Sequence, residues 1–104
     1  MNYKEQKLKI DPASNRLELE VEGNTAFIEY KLSHQLLFLI HTEVPSALEG
    51  KGAGSAIVEK ALQYAKDNDY KIVPLCSFVQ SYLKRHKHWN DIVVLNAERF
   101  MNKH

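Results

Sequence analysis

A chain of 104 residues, 44% of them hydrophobic and 26% charged, has the size of one domain with material for a single core. A formal net charge of +1 argues against a protein held to nucleic acid or to an anionic membrane by its overall field, and the longest apolar stretch, Leu36 to Ile40, is far short of a membrane span. With one cysteine, Cys76, no intramolecular disulfide forms, and no leader-like segment occupies the first ten residues; the expectation is one domain over 1–104 in a reducing cytoplasm.

Residues Arg16 to Glu22 alternate apolar and charged, which places Leu17, Leu19 and Val21 on one face of a half-buried strand. Gly23-Asn24 tolerates positive φ at both positions, and Ala26, Ile28, Tyr30 and Leu32 then take every second place, so a tight antiparallel hairpin follows. After a polar turn at Ser33-His34-Gln35, the run from Leu36 loses its alternation and predicts a central strand covered on both faces, ended by Pro45.

From Gly52 the apolar period becomes helical, with Val58, Ala61, Leu62 and Ala65 inward and Asp67-Asn68-Asp69 as the stop. Tyr70 to Val73 reads as a short strand. Ser77 with Gln80 three residues on reads as a capping box, opening a second helix whose inner face carries Phe78, Val79, Tyr82 and Leu83. A last short strand is expected over Asp91 to Leu95.

The densest chemical signal is Gly50-Lys51-Gly52-Ala53-Gly54-Ser55, between a strand and an amphipathic helix. Glycines let successive backbone N–H groups converge on one concavity, and the helix N-terminus adds partial positive charge, a geometry suited to a phosphate or pyrophosphate. The same glycines also suit a bare tight turn. Neither a P-loop nor a dinucleotide fingerprint has this spacing.

The combination resembles the GNAT superfamily of N-acetyltransferases, in which an antiparallel meander leads to a strand, a glycine-rich loop and a helix. Here the loop is Glu49-Gly50-Lys51-Gly52-Ala53-Gly54, which matches the family's glycines but has Glu49 where an Arg or Gln opens the motif. More closely, the chain is similar to the small YjdJ-type family through Ala26 to Tyr30, His41 to Pro45, the glycine turn and Pro74 to Val79. The resemblance implies a minimal GNAT-like α+β fold with a mainly antiparallel sheet and two main helices. It implies acetyl-coenzyme A as cosubstrate and an unidentified amine acceptor open to proteins or peptides; no metal is expected, because Cys76 with His41, His86 and His88 matches no familiar ligand spacing. By the same resemblance Thr42, Glu43 and Val44 pair with the pantetheine amides, residues Gly50 to Ser55 hold the pyrophosphate, and Ser77 joins the cofactor set; the basic run Lys84 to His88 is either a solvated helix end or a seat for the 3′-phosphate, with Arg85 as the phosphate contact.

Three residues are candidates for catalysis, each with a plainer alternative. Cys76, before a helix start, is either a thiol with lowered pKa or a small buried apolar side chain. Tyr82 lies where many GNAT enzymes keep a tyrosine that protonates the departing thiolate, and equally suits a core aromatic. His41 is a base for the acceptor amine or a sheet histidine. A rival from another class is a non-catalytic coenzyme A-binding sensor or interaction module.

Overall fold

In the hairpin of β2 (Arg16–Val21) and β3 (Asn24–Ser33), Leu17 faces Ile28 and Leu19 faces Ala26, and all four are fully buried. The structure, a computed structural model describing residues 3–94, extends this hairpin on both sides. A short β1 (Lys9–Asp11) flanks β2, and β4 (Leu36–Glu43) flanks β3. All three pairings are antiparallel, whereas β5 (Lys71–Pro74) joins β4 in parallel, completing a five-stranded sheet in the order β1-β2-β3-β4-β5. The crossover from β4 to β5 is α1 (Ala53–Asp67), and β5 leads into α2 (Ser77–Arg85). Short 3-10 stretches lie at Ser46–Leu48 and Lys87–Ile92.

Both helices bury their apolar stripes in one cluster with the sheet. Ile57, Val58, Ala61, Leu62 and Ala65 of α1 meet Leu17, Leu19, Leu37 and Leu39, and Val79, Tyr82 and Leu83 of α2 complete the cluster. Asn68 stops α1, its side-chain amide donating to the Tyr64 carbonyl at 2.8 Å. The fold is thus the α+β arrangement expected from the sequence, with two main helices on a mainly antiparallel sheet.

Several local expectations are corrected. The β2–β3 turn is Glu22-Gly23 rather than Gly23-Asn24, because Val21 pairs directly with Asn24 and the left-handed φ values fall at Glu22 (52°) and Gly23 (79°). Strand β4 is interior to the sheet but covered on one face: Leu37 and Leu39 are buried, while Ile40 on the far side is 44% exposed. An apolar run fixes strand position, not the number of layers packed on it. Ser77 is not a cap; Cys76 is the N-cap residue, and Gln80 donates to the Pro74 carbonyl at 2.8 Å instead of closing a capping box. In place of a strand at Asp91 to Val94, the chain stays in the 3-10 stretch to Ile92 and makes a single parallel bridge, Ile72 to Val93. Trp89 and Ile92 are buried at the edge of the core, and burying them takes a curled path. Leu95 lies outside the described residues.

Candidate functional site

The site begins where β4 and β5 part company. Their parallel pairing covers Leu36 to Leu39 only. The Leu75 and Cys76 amides both donate to the Leu39 carbonyl, at 3.0 and 3.1 Å, and the chain then turns away into α2. Strand β4 continues to Glu43, bent by a bulge: Glu29 faces His41 and Tyr30 faces Leu39, so Ile40 has no partner on β3. Among the described residues no strand pairs with β4 beyond Leu39 on its β5 side, which leaves a backbone edge open to an extended group.

The glycine turn closes one end of this gap. Gly50 and Gly52 have left-handed φ of 76° and 80°, and a Cβ on Gly50 would meet nothing within 4 Å, so the chain path there, not crowding, calls for glycine. Gly52 is the N-cap of α1, with no side-chain cap bond and no acidic residue in the first turn. The Ala56 amide already bonds the Gly52 carbonyl, whereas no side chain caps the amides before it. A helix end left this way attracts anions. Tyr3, buried and far off in sequence, braces the turn by donating its hydroxyl to the Lys51 carbonyl at 2.6 Å.

A cavity of about 220 Å³ runs from Val44 past Gly50 and Gly52 to Ser55, with Phe78 as the opposite wall. Sites for whole drug-sized ligands are roughly 300–1,000 Å³, so this one suits a phosphate-sized portion of a longer molecule. Glu49 lines it and is exposed, and Lys51, also exposed, lies within the glycine turn.

Cys76 and Thr42 meet across the gap, with Sγ 3.4 Å from Oγ1. Burial raises the thiol pKa, but the Thr42 hydroxyl and the backbone amides of Val79 and Phe78 favour the thiolate by more, and the balance lies below the ordinary thiol value. His41 is not brought to this pair. Strand alternation turns it to the other face from Thr42, where its Nε2 lies 3.0 Å from Glu43 Oε1 with both side chains half exposed.

Tyr82 is 3% exposed and stacks on His86 with ring centroids 4.1 Å apart; burial, then the charge of Glu59, raises its pKa. Ser77 is exposed at the first turn of α2, and Arg85, in the last turn, lies about 12 Å further along the axis. Phe78 was expected on the inner face of α2, yet it is 40% exposed and lines the cavity. Its spacing from Tyr82 fits the apolar stripe, so the sequence carries no signal that separates it from the core. Tyr3 likewise carries none, since its partner is 48 positions away.

A splayed parallel strand pair, a bulged central strand and an uncapped helix behind a glycine turn define an acyltransferase-like architecture. The chain belongs to the GCN5-related N-acetyl-transferase family, whose model matches residues 16–92. It is similar to a GCN5-like protein of Staphylococcus aureus solved in solution by NMR, at 26% identity and a TM-score of 0.64, covering 85% of this chain and 89% of that one. It is also similar to Protein NATD1 of Gallus gallus and of Mus musculus, each 34% identical over 50 residues, 48% of this chain and 46% of theirs. Protein NATD1 of Homo sapiens matches at the same identity, with 44% of its length covered. The matched stretch is therefore less than half of these curated relatives.

Proposed function

We propose that the protein binds acetyl-coenzyme A in the gap between β4 and α2 and moves the acetyl group to an amine, and that it is one of the small YjdJ-type members of the family. The observation that carries this reading is the continuity of three features: the uncapped start of α1 at Gly52, the unpaired edge of β4 from Ile40 to Glu43, and the Cys76–Thr42 contact beyond it. In this reading the turn amides and Lys51 seat the pyrophosphate, and Thr42 to Val44 pair with the pantetheine amides. Arg85 and Ser77 remain outer contacts for the same ligand.

Cys76 is the residue proposed to carry the acetyl group. Its thiolate attacks the thioester carbonyl, the bond from that carbonyl to the coenzyme A sulfur breaks, and the departing thiolate takes a proton from solvent or from Tyr82. The acceptor amine then attacks the acetyl-Cys76 carbonyl, loses a proton to solvent, and restores the thiolate. The Thr42 hydroxyl reverses its role along this path, accepting from the thiol and donating to the thiolate.

Two geometric facts favour a second reading. His41 faces away from Cys76 and Tyr82 is enclosed against His86, so the cleft has few proton-transfer groups beside the thiol, as suits a coenzyme A-binding module without turnover. Incubation with acetyl-coenzyme A followed by intact-protein mass measurement separates the two. A single acetyl adduct, absent in Cys76→Ser, is the expected outcome; calorimetric binding with neither adduct nor acetylated amine favours the module. No heat with coenzyme A at millimolar concentration removes both.

A further inference from the structure

The face of the sheet turned away from the core is sorted by charge. Alternation against the buried Leu17, Leu19 and Val21 turns Arg16, Glu18 and Glu20 of β2 outward, and alternation against Ala26, Ile28 and Tyr30 does the same for Phe27, Glu29 and Lys31 of β3. The register carries this across the strands. Glu29 lies beside Arg16 and His41, Phe27 beside Glu18 and Glu43, and Lys31 beside Phe38. Among the described residues of this face, Glu18, Glu20, Glu29 and Glu43 therefore gather toward one end of the strands. Arg16 shares that end, its guanidinium 3.9 Å over the Phe27 ring, and Lys9 and Asp11 of β1 cancel there. At the other end stand Lys31 and, on β5, Lys71.

Between the two ends the face is apolar. Ile40, the bulged residue of β4, is 44% exposed and lies between the rows of Glu29 and Lys31. Beside it a groove of about 290 Å³ is lined by Lys31, Ser33, Phe38, Ile40 and Leu75. A face with an acidic end, an apolar middle and a basic end is its own complement when turned end over end. A two-fold axis running across the strands at Ile40 lays β3 on β3 and β4 on β4 of a second copy. It brings Lys31 of each copy over Glu29 of the other, and Ile40 against Ile40. Strands of six to ten residues in a five-stranded sheet make a face of roughly 20 by 25 Å, about 500 Å² per copy, which lies at the low end of specific interfaces and suits a reversible pair. We propose that the protein pairs with a second copy of itself through this face, in a dimer held by Ile40 on the axis and by two reciprocal Lys31–Glu29 contacts.

Sedimentation velocity of the full chain over a concentration series is the test. Wild type is expected to pass from monomer to dimer between about 10 µM and 1 mM, as a small interface allows, and a monomer throughout overturns the proposal. Glu29→Lys and Lys31→Glu each set like charges against one another across the axis and are expected to weaken the dimer about tenfold. Mixing the two single variants restores opposite charges at both contacts. The mixture is expected to dimerise about as well as wild type although neither variant does so alone, and a mixture no tighter than its components overturns the proposal. Ile40→Asp places one carboxylate from each copy at the axis and is expected to leave a monomer, which gives a further reading should a charge reversal fail to fold. A dimer that none of these substitutions weakens runs through another surface and overturns the proposal as well. None of these outcomes depends on the coenzyme A reading.

Discussion

At the level of single residues, the Cys76–Thr42 contact makes the strongest demand on experiment. Burial opposes ionisation of Cys76, and the Thr42 hydroxyl with the Val79 and Phe78 amides outweighs it. The pH profile of alkylation by iodoacetamide is therefore expected to have its midpoint below that of an ordinary thiol. Thr42→Val removes the hydroxyl and is expected to move the profile to higher pH; coincident profiles would show that the hydroxyl does not matter. The linked effect on stability has a fixed sign. A depressed folded pKa adds stability that is complete above the unfolded thiol pKa and is lost as pH falls through the folded one.

Elements fail or hold for reasons that differ along the glycine turn. At Gly52 the φ of 80° is left-handed and the nearest atom to a built Cβ, Tyr3 Cε2, is 3.9 Å away, an ordinary contact. Gly52→Ala is thus penalised by its backbone rather than by crowding, by about 1–2 kcal/mol. Urea unfolding is expected to show a lower midpoint with an unchanged slope, and an unshifted midpoint would mean that the turn adopts another path at no cost. The two hairpin turns bear the same kind of strain without glycine at Glu22, His34 and Gln35, where the twist of the paired strands dictates positive φ.

On the scale of the whole molecule, the N-terminal segment locks the cleft. Tyr3 is buried in the common core and its hydroxyl ends on the Lys51 carbonyl, so residues before the first strand hold the turn that follows the fourth. Tyr3→Phe keeps the ring and loses one hydrogen bond, about 1 kcal/mol. In a domain of this size that corresponds to a fall in Tm of roughly 4–8 °C. Because the lost contact ends on the turn itself, coenzyme A affinity is expected to fall with it, and an unchanged affinity would leave Tyr3 a purely structural role.

Local physics made most elements legible. Period-two alternation in Arg16 to Val21 and Asn24 to Ser33, and the helical stripe of Val58, Ala61, Leu62 and Ala65, report burial on one face, which a sequence records directly. The glycine turn was legible for a similar reason, since left-handed φ at Gly50 and Gly52 selects the residue type. Whatever depends on contacts between distant positions was decided by the tertiary structure alone. That set includes the bare outer face of β4, the exposure of Phe78 over Gly54, the Tyr3 brace and the separation of His41 from Cys76. Each is fixed by which surfaces meet after the chain closes on itself, and apolar periodicity records that a side chain is sheltered without naming what shelters it.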